Sequence, residues 1–153
     1  MQGVYTASYD ISAVTARTLM YITAASTCVV KILKAVVTMR SDAAGEQVAC
    51  GFQRVTTLGT PTATTVTPVA HENASATAAS TVRGNVTASE PTYNTSSTFD
   101  KQGITNTLGF LHAPVEEEDF IYIPPSATVG LKFLEAATTA PDVTVTITFR
   151  ELG

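Results

Sequence analysis

The run DVTVTITFREL, residues 142–152, constrains the fold more than any other part of the chain. Val143, Val145, Ile147 and Phe149 alternate with Thr144, Thr146 and Thr148. Successive side chains of an extended chain point to opposite faces, so this order puts the apolar groups on one side and the hydroxyls on the other. A helix would scatter both sets around its circumference. The residues are β-branched or aromatic, which suits a pleated, half-buried surface. A strand with one apolar face needs a second layer to cover it, so the run predicts a layered β protein.

Other runs agree. RTLMYITAAS (17–26) and CVVKILKAVVTMR (28–40) are strand-length and rich in Val, Ile, Tyr and Thr. SDAAGEQ (41–47), with Gly45, reads as a turn, and VACGFQRVTTL (48–58) as the strand returning from it, a hairpin. GFLHAP (109–114) and DFIYIPP (119–125) flank an acidic turn at 116–119, and Pro124 and Pro125 end the second run. ATVGLKFLEAA (127–137) precedes a turn carried by Pro141 and Asp142. About eight short strands with turn signals between them and no helical pattern predict an all-β protein, a jelly-roll-like antiparallel β-sandwich. A chain of 153 residues is the size of a single domain, 1–153.

Charge narrows the partners. Charged residues make up 14% of the chain, against about 25% in an average soluble domain. Apolar residues reach 44% without any run long enough to cross a membrane. A surface so poor in charge is best explained by protein covering protein. Nine basic residues spread from Arg17 to Arg150 under a net charge of −4 form no stripe for phosphates, so neither nucleic acid nor membrane is expected as a partner. The start, MQGVYTASYDIS, carries no export pattern. Cys28 and Cys50 lie in apolar runs and read as buried free thiols. Three Asn-x-Ser/Thr triplets, at Asn73, Asn85 and Asn94, read as chance in a chain rich in Thr and Ser.

Catalytic chemistry finds little purchase. His71 and His112 are the only histidines, and neither has a second ligand at zinc-binding spacing. Glu116, Glu117, Glu118 and Asp119 read as a solvated acidic tip and lack a calcium-loop pattern. Nucleophile elbow, phosphate loop and Cys-x-x-Cys motifs are all missing from the sequence. The expectation is a non-enzyme without cofactor or metal.

Two segments are candidates for contact with other chains. Residues 56–93 run on Thr, Ala, Ser, Val and Pro, with Pro61, Pro68 and Pro91 forbidding a central strand through most of it. Stiff Thr and Val side chains, with Ala and Pro that lose little rotamer entropy, suit a long extended interface segment. Within it Arg83 offers a planar fork of donors to a carboxylate or to carbonyls, Gly84 permits a backbone turn beside it, and Glu90 and Tyr93 fix the register. Residues 1–12 hold Tyr5 and Tyr9 on one side of an extended chain, as anchors of an N-terminal arm or as part of a first strand of the subunit's own sheet.

The runs RTLMYITAASTCVVKILKAVVTM, RVTTLGTPTATTVTPVAHENASATAASTVRGNVTASEPTY and VTVTITFREL together resemble the small β-sandwich structural proteins of tailed-bacteriophage virions, the jelly-roll head decoration, or cement, proteins among them. The resemblance spans most of the chain. It implies a subunit made in the host bacterial cytoplasm and placed on the capsid exterior of the virion. There it would form a homotrimer and bridge neighbouring capsomers of the major capsid protein. The same style of sequence occurs in phage tail and fibre components, which implies as the alternative a host-recognition or carbohydrate-binding module.

Overall fold

The computed structural model describes residues 3–12, 14, 18–40, 46–73 and 76–153. Within them the chain forms β1 Gly3–Ile11, β2 Thr18–Thr23, β3 Val29–Met39, β4 Val48–Thr57, β5 Thr62–Val66, β6 Val69–Ala70, β7 Thr81–Ala88 and β8 Thr92–Ile104. They are followed by β9 Phe110–His112, a 3-10 turn at Glu117–Asp119, β10 Ile121–Ile123, β11 Thr128–Phe133 and β12 Val143–Leu152. Every strand pair is antiparallel. The first sheet has the order β10-β3-β12-β1-β6, with β9 also on the outer edge of β3, and the second has the order β5-β7-β2-β11-β4-β8. The two pack together as a β-sandwich, the fold class that the alternating runs predict.

The core follows from the alternation. Val143, Val145, Ile147 and Phe149 of β12 are buried and its threonines are half-buried. Each buried aliphatic or aromatic side chain stabilises the fold by about 1.5–3 kcal/mol. From the second sheet Leu19, Met20, Ile22, Phe52, Val82, Leu131 and Phe133 meet this face, and together they make one continuous apolar cluster. Cys28 and Cys50 are buried free thiols within it, and burial pushes the Cys50 thiol far above its ordinary range. At the end of β12 the side chain of Glu151 is fully buried, where it accepts the backbone N–H groups of Ala79 (3.1 Å) and Ser80 (2.6 Å). A strand of the first sheet thereby fixes the chain as it enters β7 of the second.

One expectation is corrected, and one open alternative is decided. Runs 28–40 and 48–58 do not pair as a hairpin: β3 lies in the first sheet against β12, and β4 in the second between β11 and β8. Both runs carry an apolar face, and placing them in opposite layers about 10 Å apart buries both faces against each other's sheets. The turn proposed at 41–47 falls mostly on residues 41–45, outside the described residues. Residues 3–11 are an interior strand between β12 and β6, so the first-strand reading holds for them and the arm does not. Tyr5 is fully buried with its ring stacked on Phe149 at 5.6 Å, and burial raises its phenol pKa. Tyr9 faces inward beside it and packs against the core.

The described residues of 56–93 are built into the sheets and the connections between them. They supply the edge strands β5 and β6 and the interior strand β7, which pairs with β5 and β2. The prolines punctuate these strands: Pro61 precedes β5, Pro68 separates β5 from β6, and Pro91 precedes β8. A proline has no N–H for the ladder, so strands form in the windows between prolines. The β5 to β6 connection passes from the edge of one sheet to the edge of the other and closes one flank of the sandwich. On the opposite flank β8 and β9 are joined by Gln102, whose Nε2 donates to the Leu111 carbonyl (2.7 Å) and whose Oε1 accepts the Leu111 N–H (3.1 Å).

Two variants test this arrangement by urea denaturation. Tyr5→Ala is expected to cost about 3–5 kcal/mol, the loss for a buried aromatic, where an arm anchor would leave stability unchanged. Glu151→Ala is expected to cost about 1–3 kcal/mol by stranding the buried Ser80 N–H, and Glu151→Gln, which keeps one acceptor, should lose less.

Candidate interaction surface

Alternation along β7 turns Val82 and Gly84 inward and leaves Arg83 on the outer face of the second sheet. It stands opposite Tyr21 of β2 and Thr65 of β5. The fold brings Glu90 and Tyr93 to the same outer face through Thr18. The Thr18 N–H and hydroxyl both donate to the Glu90 carboxylate, the former at 3.0 Å. Having given its proton to Glu90, the Thr18 hydroxyl accepts from the Tyr93 hydroxyl at 2.8 Å. The Tyr93 ring lies over Gly130 of β11, where a Cβ would collide with it. Lys132 covers the ring with its ammonium 4.1 Å from the centroid. Burial pushes the Tyr93 phenol well above its ordinary range, and the nearby Glu90 charge adds to the rise.

Sequence reasoning placed Arg83, Glu90 and Tyr93 together at an interface. In the structure all three lie on one sheet face, but Glu90 and Tyr93 are engaged inside the subunit and Arg83 is exposed. Tyr5 and Tyr9 belong to the opposite sheet and point into the core. Beside Arg83 the 58–61 connection forms the wall of an open hollow of about 400 Å3, together with Tyr21, Thr23 and Thr81. Gly59, at φ +63°, makes the left-handed turn of that wall.

A second surface was not singled out from the sequence. Leu108, Leu111 and Val115 are exposed large apolar side chains, the last 87% exposed. Leu108 and Val115 flank β9, and within it Phe110 and His112 are buried and Leu111 faces out. The period-two order of Phe-Leu-His carried that signal. Adjacent lies a hollow of about 570 Å3, lined by Phe99, Asp100, His112, Glu118 and Phe120 among others. The His112 Nδ1 is 2.8 Å from an Asp100 carboxylate oxygen and its Nε2 is buried without a partner. A ring nitrogen facing a carboxylate carries the proton, so the His112 Nδ1–H donates to Asp100 and the contact fixes the ring's orientation. Groups of three or more His, Cys, Asp or Glu side chains placed to hold a metal are absent among the described residues.

The acidic turn is more than a solvated tip. Glu117 takes the Lys31 ammonium at 2.9 and 2.7 Å and the Tyr122 hydroxyl, and these contacts hold its carboxyl below the usual range. The Lys31 ammonium also lies 3.8 Å from the Phe120 ring centroid. On the outer face of the first sheet, hydroxyls pair across β1 and β12, Thr6 with Thr148 at 2.9 Å and Ser8 with Thr146 at 2.8 Å. His71 closes one end of this row on Thr6 at 2.6 Å, and at the other end Thr144 donates to Asp10 at 2.6 Å.

Compared with protein-family models, curated proteins and solved structures, the chain matches none. Among the described residues no helix is long and apolar enough to cross a membrane.

The Tyr93 ring and Gly130 give a double-mutant test. Gly130→Ala is expected to cost about 1–3 kcal/mol by overpacking. In a Tyr93→Ala background the same change should be neutral or stabilising, and a penalty unaltered by removing the ring would contradict the contact.

Proposed function

We propose that this chain is a non-enzymatic structural subunit of a phage particle, a decoration protein that assembles with itself and clamps the major capsid protein lattice. The observation that carries the reading is the apolar rim at Leu108, Leu111 and Val115, three exposed large side chains within eight residues of a chain in which 14% of residues are charged. An exposed apolar cluster on so weakly charged a chain favours burial against another protein. The sandwich supports it by presenting the rim on a rigid edge: β9 pairs with β3 on one side and is tied by Gln102 on the other. The trimer is what the resemblance to decoration proteins implies, and a closed rotational assembly of any order would bury the same patch on every copy.

One feature favours a second reading, a module that binds host-surface carbohydrate. The larger hollow combines two phenylalanine rings, Phe99 and Phe120, with the carboxylates of Asp100, Glu118 and Asp119, the pairing of apolar faces and acceptors that sugars use.

Light scattering of the purified chain and co-sedimentation with undecorated particles test the first reading. The wild type is expected as a homo-oligomer that sediments with particles. Leu111→Asp combined with Val115→Asp should fold normally by circular dichroism yet dissociate and lose binding by about 100-fold or more, the weight of two interface anchors. A monodisperse wild-type monomer that ignores particles and is retained on a glycan array would replace this reading with the second.

A further inference from the structure

The hollow beside Arg83 carries a single charged side chain, and it is a cation. Its side-chain polar groups are the Arg83 guanidinium and the hydroxyls of Tyr21, Thr23, Thr60 and Thr81, with no carboxylate in the lining. Among the described residues no carboxylate pairs with Arg83. The Tyr21 side chain, directly opposite Arg83 across the β2 to β7 ladder, is almost wholly withdrawn from water. A guanidinium against a partly desolvated wall gains more from a negative partner than one in open solvent, because the local dielectric is lower and less hydration is given up. The 58–61 connection lines the same hollow, so a group seated there meets Arg83 together with the hydroxyls around it.

We propose that this hollow is a carboxylate-binding site whose occupant is an acidic side chain of a partner protein, seated in the Arg83 fork with the Tyr21 and Thr81 hydroxyls beside it. This rests on reading the chain as an interaction subunit and names the chemistry of one contact. An acidic sugar suits the hollow less well. Tyr21 is 3% exposed and offers no ring face for a pyranose to stack on. A planar carboxylate on a short stem needs only the fork and the hydroxyls. Arginine favours a carboxylate over a carbonyl because both parallel N–H groups are then used and both are charge-assisted.

The test is a titration of the full-length, isotope-labelled chain followed by amide chemical shifts. The probe is the blocked tripeptide acetyl-Gly-Glu-Gly-amide, with acetyl-Gly-Gln-Gly-amide as its neutral match and glucuronate as the free-acid arm. The expected result is saturable shifts at Tyr21, Thr60, Thr81 and Arg83 with the Glu peptide and none with the Gln peptide. Arg83→Ala should weaken binding by at least about tenfold, and Arg83→Lys should recover only part of it, because a point charge cannot replace a fork. Arg83 is exposed, so both variants should keep the wild-type spectrum elsewhere. The proposal is overturned by equal response to the Glu and Gln peptides, by shifts that survive Arg83→Ala, by response to glucuronate alone, or by none at tens of millimolar. The titration needs no particle and reads only residues around Arg83, away from Leu108, Leu111 and Val115, so its failure leaves the test of the apolar rim intact, and failure of that test leaves this one intact.

Discussion

The structure depends first on the pairing of β12 along both of its edges. Nine of its ten residues are matched with β1, from Gly3 opposite Glu151 to Ile11 opposite Val143, and all ten with β3, from Met39 opposite Val143 to Val29 opposite Leu152. Because side chains alternate, a slip of one residue would carry four buried apolar groups to solvent and three threonines into the core, a change no neighbouring strand could absorb. Register in the first sheet is therefore fixed by β12, and Tyr5 on Phe149 locks the adjoining strand to it. Through Glu151 the same strand also settles where the chain enters the second sheet.

With the layers fixed, the molecule still has sheet edges to manage, since an open edge is a template for unwanted pairing. It manages them unequally. On one flank β6 is only two residues long and β5 runs into it directly, so the sheets are stitched at that side. On the other, β8 is long but breaks register with β4 at three places, and irregular spacing spoils a straight edge. Gln102 occupies the backbone groups of Leu111 that β9 would otherwise offer. In the proposed assembly, contact with other chains falls to side chains rather than to strand addition. The apolar rim and the hollow beside Arg83 are the two places where side chains stand ready for it.

These two surfaces differ in what they bring to recognition. The rim offers apolar area with little directional content, which suits strength; the hollow offers one planar cation and several hydroxyls, which suit register and choice of partner. The row of cross-strand hydroxyls on the first sheet is hydrogen-bonded within the subunit, and Glu90 and Tyr93 are tied to each other through Thr18 on the face that carries Arg83.

The sequence by itself determined the fold class, the strands with clean period-two patterns and the places where proline stops a strand, because each depends only on local backbone geometry and on which side of a strand is apolar. The layer to which each run belongs was decided by tertiary structure. The β3 and β4 runs look like a hairpin locally, yet their apolar faces are buried better in opposite sheets than side by side. Residues 92–104, polar on both faces and bulged, give no periodic signal, and they are a strand only because β4 offers an edge to pair with. Arg83, Glu90 and Tyr93 were legible as unusual residues in a plain segment. That Thr18, 72 residues before Glu90, would claim both Glu90 and Tyr93 depends on a contact between distant strands, and such contacts leave no trace in local spacing.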